Sequence, residues 1–263
     1  MAVTSISGPI KAVILDWAGV TVDYGSRAPA QVFVEVFRTH GIAITAAEAR
    51  GPMGKAKRDH IVEIAKMPRV AAAWKQLHGQ PPSDSDIQTM YDEFLPLQLE
   101  TLARDTTVIP GVADAVAELR RRGLKIGSTT GYTRQLMEVV VPLAAAGGYS
   151  PDVVICADDV PAGRPAPWMN FQAAQQLGVY PFGSIVVVDD TKVGIEAGLY
   201  AGATTVAISQ TGNLLGLSED EVARLAPSDL NARLDATEAE FRSIGTHHVI
   251  RSLAELPGLI PHG

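Results

Sequence analysis

Short apolar runs recur along the second half of the chain and once near its start, and they predict buried β-strands. They cover 11–15, 124–128, 152–156, 184–188 and 203–208. Between them, apolar residues recur every three or four positions, which is the spacing of helices that bury one face. Such alternation predicts a parallel sheet with right-handed crossovers. The helices predicted in this part are 112–122, 133–146, 167–177 and 192–201.

The stretch from about 27 to 104 has a different, wholly helical pattern. Thr45 followed by Glu48 predicts a helix start with a capping box. Because this block comes after the first strand, we expect it to be an insertion. The predicted domains are an α/β core domain of residues 1–26 and 105–263 and a helical cap domain of residues 27–104. The helices predicted in the cap are 29–40, one after Thr45, 57–67, 69–78 and 84–104.

Polar or charged residues follow four of the predicted strands. They are Asp16, Thr130, the loop 158–164 that ends at Arg164, and the pair Asp189-Asp190. In open parallel sheets, ligands bind beyond the carboxyl ends of the strands. A single polar strand end is usually structural, but four at one edge favour a functional site.

Carboxylates predict the chemistry of this site. Close carboxylates resist ionisation unless a cation holds them, and an oxygen-only donor set suits Mg²⁺. Mg²⁺ can bridge a carboxylate and a phosphoryl oxygen, and a carboxylate can attack phosphorus. The residues therefore predict a magnesium-dependent hydrolase with Asp16 as nucleophile. Arg164 would supply positive charge, and Thr130 would donate a hydrogen bond to a phosphoryl oxygen.

Composition and charge limit the kinds of partner that the protein is expected to bind. The net charge of −7 argues against a general nucleic-acid binder, and no apolar run reaches the length of a membrane span. Cys156 is the only cysteine, which fits a reducing compartment. No leader pattern is visible at the start of the sequence, so we expect a cytoplasmic protein with a small anionic substrate.

Four stretches resemble the motifs of the haloacid dehalogenase (HAD) superfamily: DWAGVTVD, GSTTGYT, GRPAP and VVVDDT. Over nearly its whole length the chain resembles the phosphonoacetaldehyde hydrolase (phosphonatase) family, most specifically in EARGPMGKAKRDH and DDVPAGRPAPWM. The resemblance implies a doubly wound, Rossmann-like α/β core with an inserted helical cap. It also implies hydrolysis of the carbon–phosphorus bond of phosphonoacetaldehyde, with Mg²⁺, by a homodimer formed through the cap.

The family resemblance assigns roles to four cap residues. Lys57 is implied to form a Schiff base with the substrate aldehyde, which requires burial or nearby cations to lower its pKa. His60, three residues on, is implied to assist proton transfer during imine formation. Met53 is implied to lie close to the reacting centre, and Gly54 to allow close approach of the backbone. Without the resemblance, KAKR would be interpreted as a solvated helix face.

On the core side, the resemblance implies one phosphoryl-binding set and one metal-binding set. Thr130, Gly131, Tyr132 and Arg164 are expected around the substrate. The metal is expected to be held by Asp16, the carbonyl of Ala18 and Asp190. The pattern departs from the superfamily at Asp189 and Gly194, which leaves open whether Asp189 contacts magnesium-bound water.

Ala18 bears on the alternative functions. Ordinary phosphatases of the superfamily have a second Asp two residues after the nucleophile, as the acid for an oxygen leaving group. Its absence disfavours the main alternative, a phosphomonoester phosphatase or sugar-phosphate mutase, and suits a carbon leaving group. A metal-independent dehalogenase and a catalytically inactive binding protein remain further alternatives.

Overall fold

A six-stranded parallel sheet, in the order β3-β2-β1-β4-β5-β6, forms the centre of the core. The computed structural model describes residue 6 and residues 8–261. The doubly wound α/β fold is therefore confirmed. The strands are β1 Ala12–Leu15, β2 Lys125–Thr129, β3 Val153–Ile155, β4 Ile185–Asp189, β5 Thr204–Ile208 and β6 His248–Ile250.

The central strand β1 places the predicted nucleophile in the middle of the sheet edge. Leu15 lies opposite Ser128 of β2 and opposite Val188 of β4. Asp16, the next residue, therefore lies between the ends of these two neighbours. All residues of β1 and β4 are buried, as expected of strands covered on both faces.

Alternation along β1 divides the core into two packed layers. Val13 and Leu15 pack with residues of α6, α7 and α12, whereas Ala12 and Ile14 pack with α8 on the opposite face. The helices of the core are α6 Val112–Arg121, α7 Arg134–Ala146, α8 Trp168–Leu177, α9 Lys192–Ala201, α10 Glu219–Arg224, α11 Pro227–Ser243 and α12 Leu256–Leu259.

Five helices between β1 and β2 have an apolar cluster of their own, and we call them the cap. Phe33, Ile61, Trp74 and Phe94 are among its fully buried members. The predicted domain boundaries at 26/27 and 104/105 stay a prediction, because α5 also sends Leu102 into the main core. The cap helices are α1 Arg27–Thr39, α2 Ala46–Arg50, α3 Lys57–Lys66, α4 Pro68–His78 and α5 Asp84–Asp105.

Local signals account for the element ends. At the start of α2, for example, the capping box of Thr45 and Glu48 is present, as the sequence predicts.

No helix or strand was predicted after residue 208, where α10, α11, β6 and α12 lie. Of the helices in the described residues, none is both long and apolar enough to cross a bilayer.

Candidate active site

Three carboxylates converge at the carboxyl edge of the sheet. Oxygen atoms of Asp16, Asp189 and Asp190 lie within 4.8 Å of one another, and all three side chains are buried. Burial raises the pKa of Asp16 to about 7, against the lowering effect of Arg164. Burial and the neighbouring Asp16 also raise the pKa of Asp190. A further positive charge at this site would therefore favour the ionised forms of Asp16 and Asp190.

Arg164 is the buried cation that joins the strand ends. Its Nη2 lies 2.7 Å from Asp16 Oδ1, and its Nη1 lies 3.1 Å from Asp189 Oδ2. Nη2 also donates to the hydroxyl of Thr129 at 2.7 Å. These contacts hold the guanidinium beside Asp16, the predicted nucleophile, where a phosphoryl group attached to or approaching Asp16 would meet it.

The carboxylates fit a divalent cation, on the evidence of one orphaned oxygen. Asp190 Oδ1 is buried and has no hydrogen-bond partner among the described residues, while Oδ2 accepts from the backbone N–H of Asn213 at 2.7 Å. A buried carboxylate oxygen without a partner is costly unless a cation takes that place. Asp16 and Ala18 line the same pocket. The donors present are oxygen atoms, as Mg²⁺ prefers.

Asp189 has its oxygen atoms engaged by protein groups. Oδ1 accepts from the backbone N–H and the hydroxyl of Thr191, at 2.9 and 2.7 Å, and Oδ2 pairs with Arg164. Gly194 makes room for this carboxylate, because a Cβ there would lie 2.0 Å from Asp189 Cγ. Asp189 and Gly194 are the two positions at which the sequence departs from the superfamily pattern. The two departures are connected, because the Asp189 carboxylate occupies the space that a side chain at position 194 would need.

Lys57 begins α3 and extends into the same pocket from the cap. Its side chain lies between two aromatic rings, with Nζ 4.6 Å from the ring centroid of Tyr132 and 5.7 Å from that of Phe33. Burial lowers the pKa of Lys57 to about 7, against the raising effect of Asp16. A large fraction of this amine is therefore neutral near pH 7, as nucleophilic attack on a carbonyl requires.

His60 lies one turn after Lys57, behind the pocket wall. Its ring stacks on Phe33 at 3.8 Å between centroids, and it is not among the residues that line the pocket. Nε2 lies 2.8 Å from the carbonyl of Ala49, so Nε2 carries the proton and Nδ1 is an acceptor without a partner among the described residues. Burial, then Lys57, lowers the pKa of His60 well below its usual value, which keeps the ring neutral.

The pocket between the cap and the core is narrow, with a volume of about 20 Å³. That is room for about one water molecule, so we expect the cap to move when a substrate enters. The backbone of Gly54 lies close to the side chain of Thr191 beside this pocket, since a Cβ at Gly54 would lie 2.4 Å from the Thr191 hydroxyl oxygen. The predicted site residues that line the cavity are Asp16, Ala18, Met53, Gly54, Lys57, Thr130, Gly131, Tyr132, Arg164 and Asp190.

The sequence predictions missed several residues of this site. Ser26, Pro29 and Thr191 also line the cavity, and Asn213 contacts Asp190. The polar stretch SQTGN directly after β5 was a usable signal for Asn213, because β5 ends at the same sheet edge. Cys156, predicted to be a core residue, is fully buried, and burial raises the pKa of its thiol to about 12.

Comparison with known proteins gives concordant matches over most of the chain. A family model described as a haloacid dehalogenase-like hydrolase matches residues 10–202. A phosphonoacetaldehyde hydrolase of Paraburkholderia phytofirmans is 47% identical over 247 residues, covering 94% of this chain and 92% of the relative. One from Bacillus cereus is 46% identical over 253 residues, covering 96% of each. The crystal structure of a phosphonoacetaldehyde hydrolase-like protein from Oleispira antarctica matches with a TM-score of 0.93 and 39% identity, covering 97% of this chain and 92% of that one.

Proposed function

This chain belongs to the phosphonoacetaldehyde hydrolases, within the haloacid dehalogenase-like hydrolases, and we propose that it hydrolyses phosphonoacetaldehyde to acetaldehyde and phosphate. The observation that carries the proposal is the pairing of Lys57 and Asp16 in one cavity. One is an amine with its pKa lowered to about 7, and the other is a carboxylate at the centre of the sheet edge. Hydrolysis of a phosphomonoester does not need an imine as electron sink, so such an amine would have no role in it.

The first half of the proposed reaction takes place on Lys57. Its neutral amine attacks the aldehyde carbon, and the N–H proton that the amine gives up is passed on to the carbinolamine oxygen. A second proton, taken up from solvent, lets this oxygen leave as water and gives a protonated imine. The unpaired Nδ1 of His60 is the acceptor that we assign to the proton released by the amine, with a water molecule as the relay, because His60 lies behind the cavity wall. Met53 and Tyr132 enclose the imine and exclude bulk water.

The second half takes place on Asp16. A carboxylate oxygen attacks phosphorus, the P–C bond breaks, and its electron pair moves into the protonated imine to give an enamine. Arg164 and Thr130 bind the phosphoryl oxygens, with Gly131 leaving space for them and Gly54 closing the cavity. Water then cleaves the aspartyl-phosphate, while the enamine takes up a proton and is hydrolysed to acetaldehyde. The cycle consumes one water molecule in total.

We assign the bound cation as Mg²⁺, held by Asp16, Asp190 and the carbonyl of Ala18. When bound, it supplies the positive charge that lets Asp16 stay ionised beside an anionic substrate. Asp189 already contacts Thr191 and Arg164. We therefore propose that Asp189 lies next to the ion without binding it directly.

The second candidate, a phosphomonoester phosphatase or sugar-phosphate mutase, lacks a specific observation in its favour. The residue two positions after Asp16 is Ala18, which cannot protonate an alkoxide leaving group. Turnover of sugar phosphates at a rate above that of phosphonoacetaldehyde would revive it.

We also propose a cytoplasmic homodimer formed through the cap, on the family resemblance. Val70, Trp74 and Phe94 are buried in the cap itself and are unavailable for an interface. Leu77 on α4 is 57% exposed, which supports the outer face of α4 as the contact between the two chains. Light scattering of the purified protein should give twice the chain mass, falling to one chain in Leu77→Glu. A monomeric wild type at micromolar concentration would exclude the dimer.

Release of both products from phosphonoacetaldehyde tests the function. We expect stoichiometric acetaldehyde and phosphate, dependent on Mg²⁺ and abolished by EDTA. Lys57→Arg keeps a long cationic side chain but cannot form the imine, and we expect a loss of about 10³-fold or more, since a missing electron sink adds at least about 4 kcal/mol to the barrier. Phosphate release that Lys57→Arg leaves intact would contradict the proposal.

A further inference from the structure

We propose that Arg50 and Asn213 link cap closure to the position of the Asp190 carboxylate. Neither residue lines the cavity that holds Asp16 and Lys57. Both act as positioning residues, and the inference rests on the proposed function only in its use of a cap that opens and closes over a cation site.

Arg50 is the last residue of α2, and its side chain crosses from the cap to two loops of the core. Nη1 donates to the carbonyl of Gly25 at 2.8 Å and to Asn213 Oδ1 at 3.1 Å. Nη2 donates to the carbonyl of Gly216 at 3.1 Å. The guanidinium thus joins the loop before α1 to the loop after β5, which a point charge such as lysine cannot do with the same geometry.

Asn213 returns the contact and passes it to the cation site. Its side-chain N–H donates to the backbone carbonyl of Arg50 at 3.2 Å, while its own backbone N–H donates to Asp190 Oδ2 at 2.7 Å. Asn213 is 3% exposed, so its side-chain amide has little access to water and depends on Arg50 for its hydrogen bonds. The same residue therefore contacts the cap through its side chain and a carboxylate of the site through its backbone.

The packing around Arg50 supports a link that forms only on closure. Arg50 lines two clefts, one of about 550 Å³ and one of about 330 Å³. The contact between the cap and the core is therefore not tightly packed around this side chain. Gly216 is shaped to receive the guanidinium, because a Cβ there would lie 2.8 Å from Arg50 Cζ. Opening the cap would withdraw Arg50 and release the side chain of Asn213.

A reciprocal coupling follows. If closure orders the N–H that holds Asp190, then closure strengthens cation binding, and the cation favours closure by the same factor. Arg50→Ala should weaken Mg²⁺ binding and expose Lys57 at the same time.

Two measurements without substrate test this. The first is the Mg²⁺ dissociation constant by calorimetry. The second is the rate of Lys57 modification by an amine-reactive reagent, read as the modified peptide by mass spectrometry. For Arg50→Ala we expect about a 5-fold or larger increase in both, the lower end of measured couplings between sites. The control is Arg69→Ala, another cap arginine, whose partners Glu48 and Ala43 are in the cap.

Asn213→Ala keeps the backbone N–H but removes the contact with Arg50, and it tests the link even if Arg50→Ala fails to fold. We expect weaker Mg²⁺ binding and faster Lys57 modification, and Arg50→Lys should recover part of either loss. Values for Asn213→Ala or a folded Arg50→Ala that match Arg69→Ala would overturn the link, as would faster modification with unchanged Mg²⁺ binding. Failure of the wild type to hydrolyse phosphonoacetaldehyde would refute the proposed function but leave these two readouts intact.

Discussion

Lys57 is a buried amine whose surroundings tune it for attack on a carbonyl. Its neutral fraction increases as the pH rises through its pKa of about 7, so imine formation should rise with pH and level off above about pH 8. An unperturbed lysine would give a rise that continues to about pH 10. The rate of borohydride-trapped adduct formation at Lys57, measured from pH 5 to 10, separates the two. Steady-state turnover is less suitable, because ionisation of Asp16 acts in the same direction.

Gly194 offers a test in which two effects have opposite signs. Alanine in a helix is normally more stable than glycine by about 0.5–1 kcal/mol. Here the added Cβ would lie 2.0 Å from Asp189 Cγ, so the clash should dominate and displace Asp189 from Arg164. We expect Gly194→Ala to lower the free energy of unfolding by about 1–3 kcal/mol and to reduce turnover. Gly258→Ala is the control, because Gly258 lies in a helix with open space around its Cβ position. This variant should lower neither the free energy of unfolding nor turnover. A stabilised, fully active Gly194→Ala would contradict the account.

At the scale of elements, the loop between α2 and α3 controls how closely the cap approaches the core. Gly54 has φ of +93°, and a Cβ there would meet Thr191 and Val193 of the core. Gly54→Ala should hold the cap away from the core, raise KM and slow adduct formation at Lys57.

Gly79 provides a matched control for this loop. It is also a cap glycine with positive φ, of +81°, but nothing lies within 4 Å of its Cβ position. Gly54→Ala and Gly79→Ala should therefore share a backbone cost of about 1–2 kcal/mol in stability, whereas only Gly54→Ala should lose activity. Equal kinetics in the two variants would exclude a role for this contact in closure.

The sequence predicted most of the elements, for a physical reason that also limits it. β1 and β4 are continuous apolar runs because both faces are buried, and such runs are visible without a structure. β6 is a three-residue edge strand, too short to stand out from its surroundings. The position of Asp16 directly after β1 was predictable, but the contact between Gly194 and Asp189 requires the coordinates of the turn that follows β4.

For the molecule as a whole, cation binding should be linked to pH and stability. In the absence of metal, burial raises the pKa of Asp16 to about 7 and also raises the pKa of Asp190, so both carboxyls tend to hold protons at acidic pH. A divalent cation must displace those protons, so Mg²⁺ should raise Tm more at pH 8 than at pH 5.5. Thermal unfolding with Mg²⁺ or EDTA at both pH values measures this. Asp190→Asn should lose most of the shift; a shift that is equal at both pH values, or kept in the variant, would contradict the site.

The relation between cap and core is where the sequence carried least information. The helical block and its insertion after β1 were readable from periodicity alone. Its placement over the sheet edge depends on contacts between residues far apart in the chain, such as Arg50 with Gly216. Lys57 was therefore assigned to the site by family resemblance, and its burial between Phe33 and Tyr132 emerged only from the fold.

The proposed reaction requires a covalent adduct between Lys57 and the substrate aldehyde. Incubation of the protein with phosphonoacetaldehyde and Mg²⁺, followed by borohydride reduction and peptide mass spectrometry, tests it most directly. We predict a single reduced adduct on the peptide that contains Lys57, coincident with loss of activity and absent from Lys57→Arg. Full turnover of phosphonoacetaldehyde with no adduct at Lys57 would contradict the account.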